Sequence, residues 1–242
     1  MKEKIKNEID FLKNDSNKNL SMGIIFTTII LFIYCYFGSF SFFEQTFPNI
    51  TNLNFWKIIY HNCTAFVLFF VVGAIFTKFI AKQSLKSNGL RFGNVGLGLK
   101  IILIGLPIAI LCGLSTTLDV HMVETYPLVN FYEFGQWYQI LLYFVSYFLY
   151  YIGWEYLFRG LLINSCREKC GVVGAILIST LISALIHTSI GGFGKPMIET
   201  LSAIPAGLIF GYIAHKTNSI FPSLALHAVV GFATDIFVFL LI

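Results

Sequence analysis

The 242-residue chain is 57% hydrophobic and 12% charged, against about 25% charged in soluble domains, so its polar residues cannot cover a water-facing surface. The mean hydropathy of +0.78 agrees. The formal charge of +4 comes from basic residues in short loops and not from a continuous stripe, which argues against nucleic-acid binding. The five cysteines, Cys35, Cys63, Cys112, Cys166 and Cys170, lack the spacing of a disulfide framework or a zinc knuckle.

Met1 to Asn19 carries Lys2, Lys4, Lys6, Lys13 and Lys18 among four acids. It reads as a polar cytoplasmic helix, because the short basic region and small-residue cleavage site of a signal peptide are missing. From Leu20 onward, runs of about 20 apolar residues recur, each able to cross a hydrocarbon core of roughly 30 Å as helix. They predict about seven spans, near Leu20 to Phe40, Ile58 to Ile80, Val95 to Leu114, Gln136 to Ile163, Val172 to Ile190, Ile198 to His215 and Ile220 to Ile242. The runs are continuous rather than alternating, so the fold class is an all-α polytopic bundle and not a barrel. There is no internal repeat or inverted pair of interrupted helices of the transporter kind. The organisation expected is a polar segment at 1–19, scaffold helices over 20–135 and a bundle over 136–242 that carries most of the buried ionisable residues.

The basic clusters recur every second loop: Lys78, Lys82, Lys86 and Arg91, then Arg167 and Lys169, then Lys216. The alternate loops hold Glu44, Asp119, Glu124 and Glu133, with Lys57 and Lys195 as their positive charges. By the positive-inside rule the N-terminus is cytoplasmic and the C-terminus external.

Ionisable side chains inside a span are costly and mark function by default. The first three spans have few, His61 lying near an end like His121 and His215. The last four carry nearly all of them. Glu155 and Arg159 stand one turn apart with the acid first, the favourable order for a pair on one helical face. His187 lies late in the fifth span, and His227 lies in the last with Gly231 one turn on. Glu199 opens the sixth span, and Asp235 sits about two turns beyond His227 on a similar face. With a rise of 1.5 Å per residue, Glu155 lies about 20 Å above a fourth helix end at Glu168 and His187 about 24 Å above a fifth helix start at Gly171, whereas His227 lies about 12 Å above Ser219. A carboxylate and an imidazole sharing a water in such a cavity form a general base suited to peptide hydrolysis. Trp154, Tyr156 and Phe158 read as packing or belt aromatics.

At these residues the chain resembles the CPBP family, the CAAX proteases and bacteriocin-processing enzymes, which include type II CAAX prenyl endopeptidases, bacterial Abi proteins and lysostaphin resistance protein A-like proteins. The resemblance covers about Gln136 to Asp235. The family's EExxxR, FxxxH and HxxxN motifs align with Trp154-Glu155 through Arg159, Ser183 through His187, and His227 through Gly231. Trp154 thus stands in place of the first glutamate, Ser183 in place of the aromatic, and Gly231 in place of the asparagine.

The resemblance implies an intramembrane endopeptidase of a bacterial cell membrane, acting on a membrane-associated peptide or protein. In it Glu155 and His187 activate water, His227 binds the oxyanion and Arg159 orients the site. Glu199 or Asp235 is a candidate for the missing carboxylate. The glutamate-and-water mechanism needs no cofactor; a zinc alternative takes His187, His227 and Glu155 as ligands. A catalytically degenerate relative that binds a peptide or partner, and a small transporter, are the competing functions.

Overall fold

The computed structural model describes Ile5 and residues 15–188 and 194–241. Most of the expected polar segment at 1–19, the end of the expected fifth span at 189–190, and Ile242 lie outside the described residues. In lipid a backbone must satisfy its own polar groups, and the apolar runs do so as helices, with no strand among the described residues. Six helical runs are long and apolar enough to cross a bilayer, and the chain is an integral, multi-pass membrane protein.

In chain order the helices are α1 (Asp15–Phe37), the short α2 (Phe40–Thr46) and α3 (Leu53–Ile80); then α4 (Val95–Ser115) and the short α5 (Val120–Thr125). The run Trp137–Leu185 follows, and α8 (Met197–Thr217) and α9 (Phe221–Leu241) close the chain. Trp137–Leu185 holds 49 residues, about 74 Å if straight and more than twice a hydrocarbon core. It is a hairpin. Gly171, at φ 68° and ψ 172°, occupies a conformation open to glycine and few other residues. Ser179 Oγ donates to the Phe158 carbonyl 2.8 Å away although 21 positions separate them, which only a reversal allows. The two arms are α6 (137–170) and α7 (172–185), so the expected spans four and five form one hairpin.

Small residues let membrane helices approach closely, because lipid supplies no hydrophobic drive between them. On α4, Gly98 and Gly105 face Pro222 and Leu226 of α9, and a Cβ there would come within 3.0 and 2.8 Å. At Gly113 an added Cβ would lie 2.8 Å from the Thr234 backbone nitrogen. Buried polar pairs add specificity: Asn62 Nδ2 of α3 donates to Ser146 Oγ of α6 at 3.1 Å. Large apolar side chains such as Leu103, Ile104 and Phe79, each more than 60% exposed, form the lipid-facing surface.

The charged loops sort to opposite ends of the bundle. At one end Arg91 Nε donates to the Asn218 carbonyl at 2.9 Å, and Asn164 Nδ2 donates to Asn88 Oδ1 at 2.8 Å. These bonds tie the 81–94 loop to the turn before α9 and to α6 one turn before Arg167. At the other end Lys57 pairs with Glu44 at 2.8 Å, and Asn54 Nδ2 reaches Glu133 at 3.4 Å.

Overpacking the α4–α9 seam tests this architecture. Gly113→Leu should lower stability by about 1–3 kcal/mol, whereas Leu111→Ala, on the lipid face, should change it by less than about 0.5 kcal/mol. Thermal unfolding in one detergent compares the two.

Candidate active site

The site begins where α6 crosses α3. Gly153 lets the helices meet, since a Cβ there would lie 2.9 Å from the Ala65 carbonyl oxygen. Just beyond it, α6 widens into a π-helical segment, Tyr156–Leu162, a distortion frequent at functional sites. Trp154 and Glu155 are 1% and 0% exposed, and Arg159 is 6% exposed.

Glu155 Oε1 lies 2.8 Å from His227 Nδ1 on α9 and 3.7 Å from Arg159 Nε. A carboxylate accepts only, so Nδ1 carries the hydrogen and, in the neutral ring, Nε2 is the basic nitrogen. His187 is placed differently. Its Nδ1 donates to the Ser183 carbonyl at 2.6 Å, and its ring meets the edge of Trp154 at a centroid distance of 5.4 Å. The sequence expectation joined Glu155 to His187; the structure joins Glu155 to His227 and seats His187 on Trp154. His187 also lies past the helix, because α7 ends at Leu185 rather than running to Ile190.

The level of α9 explains the exchange. Ser219 and Ile220 are buried, and Ile220 N donates to the Gly89 carbonyl at 3.1 Å. The neighbouring Asn88 carbonyl abuts Gly160, where a Cβ would lie 2.5 Å away. The turn before α9 therefore sits level with Gly160, about 16 Å above Gly171. That offset lifts His227 to Glu155.

Two cavities, of about 350 and 280 Å³, share a wall made of Tyr126, Tyr147, Tyr151, His187, Glu199 and His227. Glu155 lines neither and stands behind His227. His61, read from sequence as an interfacial residue, lines the larger cavity with its Nε2 2.8 Å from Tyr34 Oη.

Glu199 is the carboxylate that faces both cavities. The Tyr126 hydroxyl donates to it, 2.9 Å from each oxygen. Lys195 Nζ donates to that hydroxyl at 2.6 Å and lies 3.8 Å from Glu199. Burial, with Glu199 beside it, holds the Tyr126 phenol well above its usual pKa, which keeps it a donor. Asp235, by contrast, accepts from Tyr143 at 2.6 Å, is 0% exposed and lines neither cavity, so it stays outside the site that the sequence proposed for it.

The zinc set His187, His227 and Glu155 does not assemble as three ligands. Glu155 bonds the nitrogen of His227 that faces away from the cavity, a supporting position for a ligand histidine and not a ligand position. Among the described residues no group of three His, Cys, Asp or Glu side chains is placed to hold a metal ion.

Gly231 and Tyr151 fit together. A Cβ at Gly231 would fall on the Tyr151 hydroxyl and lie 2.8 Å from its Cζ. The phenol thus fills the space that a side chain at 231 would take, with its ring 4.6 Å from that of His227. Sequence reading missed Tyr126, Lys195 and Tyr151. A signal existed for the last, since Tyr143, Tyr147, Tyr151, Glu155 and Arg159 recur at every fourth position on one helical face.

These features define a polytopic membrane protein with a histidine-lined cavity, one carboxylate on its wall held by tyrosine and lysine and another behind it beside arginine. Residues 136–233 match the family model for Rce1-like proteins, described as type II CAAX prenyl endopeptidase Rce1-like, and this part of the chain is similar to that CAAX-protease family. No curated protein and no solved structure matches the chain.

The fit of Tyr151 against Gly231 can be measured. Gly231→Asn should destabilise the protein, and adding Tyr151→Ala should recover part of the loss, with a coupling of about 0.5–3 kcal/mol in a double-mutant cycle. Simple additivity would show that the two do not share the space.

Proposed function

We propose that the chain is an intramembrane endopeptidase that hydrolyses a peptide bond in a membrane-associated peptide or protein. The observation that carries this reading is the pair of imidazoles on one cavity, each tethered through Nδ1: His227 to Glu155 and His187 to the Ser183 carbonyl. Tethering fixes the tautomer and makes Nε2 the base.

In this reading His227 Nε2 takes a proton from a water, and the hydroxide adds to the scissile carbonyl carbon. Glu155 steadies the resulting imidazolium, as a buried carboxylate does for a catalytic histidine. The Tyr151 hydroxyl donates to the oxyanion, the role open where an asparagine is absent. Collapse of the intermediate breaks the C–N bond, and the imidazolium returns its proton to the leaving amine. His187 positions the water, Arg159 balances the charge of Glu155 from behind, and Glu199 is the auxiliary carboxylate.

One observation favours a second reading. Trp154, where the family has its first glutamate, is packed between Tyr150 and Phe158 and against His187, at centroid distances of 5.5, 4.7 and 5.4 Å. A non-hydrolytic relative that binds a membrane peptide would have the same filled position.

Purified protein in lipid nanodiscs, assayed on membrane peptides with and without a chelator, separates the readings. Cleavage should fall about 10²–10⁴-fold for His227→Ala and for Glu155→Gln, and the double variant should be little worse than either. His187→Ala should also be severely impaired. Tyr151→Phe should lower kcat by about 10²-fold, with KM nearly unchanged. Peptide binding without cleavage by the wild type would favour the second reading.

A further inference from the structure

The two cavities open toward the end of the bundle that carries the acidic loops. The rim of the larger includes Ser39 and Ser41, which follow α1, and Thr125 and Lys195. His187, just past α7, and Glu199, in the first turn of α8, lie at that end too. Arg91, Arg167 and His215 instead line a separate cleft at the basic end, of about 30 Å³, and no residue of either large cavity comes from the basic loops.

Charge asymmetry gives these ends a direction. Among the described residues, the acidic end holds two basic side chains, Lys57 and Lys195, each paired with a carboxylate. The basic end holds Lys78, Lys82, Lys86, Arg91, Arg167 and Lys216 on helix ends and in the 81–94 loop, which bond to one another. The start of α1 belongs there as well, since Asn19 shares a cleft with Arg167, and Lys2, Lys4, Lys6 and Lys13 precede it in the chain. Short loops rich in Lys and Arg stay in the cytoplasm. The cavity mouth therefore lies on the opposite face.

We propose that the cavity opens to the extracytoplasmic side and that its substrate is a membrane-anchored peptide or protein segment presented from that side, not the cytoplasmic tail of a lipid-modified protein. The substrate half of this statement rests on the endopeptidase reading; the direction of the mouth does not. The second cavity suits an anchored segment, because it runs between α4, α8 and α9 over Ala203, Ala206, Phe210 and Val230. Ile198, which lines it, is 48% exposed and reaches the lipid face.

Membrane-impermeant maleimide labelling of intact cells tests the direction, read residue by residue by mass spectrometry. Ser41→Cys reports the mouth, and the native Cys170, exposed in the basic turn, reports the far end, with Lys86→Cys as a second reporter there. Ser41→Cys should be modified in intact cells, while Cys170 and Lys86→Cys should react only after lysis. The reverse pattern overturns the proposal and places the site in the cytoplasm. Labelling needs no catalysis, so this result stands apart from any cleavage assay. For the substrate, two membrane-anchored reporters carry the same peptide on opposite faces; loss of only the external one is expected, and loss of only the cytoplasmic one overturns the substrate class.

Discussion

The contact between Glu155 and His227 is the constraint on which the rest of the structure depends. Glu155 is 0% exposed, and an ionised carboxylate at such depth is expensive unless it is paired and hydrogen-bonded. His227 at 2.8 Å and Arg159 at 3.7 Å supply that pairing. To bring His227 within reach, α9 must begin level with Gly160. This requires the buried turn at Ser219 and Ile220, its bond to Gly89, and the glycine seam that lets α4 lie against α9. Loop, helix level and helix contact all serve one hydrogen bond.

The departures from the family pattern are local exchanges with neighbours. Gly231 lacks the side chain of an asparagine, and the phenol of Tyr151 occupies that volume with a donor of its own. Trp154 lacks a carboxylate, and Glu199 brings one to the cavity from another helix, held by Tyr126 and Lys195. Sites are defined by which groups converge, not by which positions supply them.

Much of the fold was legible in the sequence, because the physics of lipid acts on composition and run length. The apolar runs and alternating loop charges marked the spans and ends, and Gly171 marked the reversal between α6 and α7. Glu155, Arg159, His187 and His227 were legible as costly groups in apolar surroundings. Their partners were not. Depth counted from each turn assumed that all turns lie at one level, and the buried turn before α9 broke that assumption. Tyr126 and Lys195 lie in loops, where a polar residue carries no penalty to signal it. Asp235 was read as a site residue for its cost alone, but it lines neither cavity and one of its oxygens accepts from the Tyr143 phenol.

The order of the elements along the chain bears on how the protein is made. Glu155 and Arg159 sit one turn apart on α6 and enter the bilayer together, as a pair whose charges cancel, before His227 has been synthesised. An isolated carboxylate there costs a few kcal/mol to insert, and its cation travels on the same helix. The histidine arrives later, on α9. A chain cut short before α9 keeps a tolerable hairpin yet leaves the Glu155 carboxylate without the imidazole that bonds it.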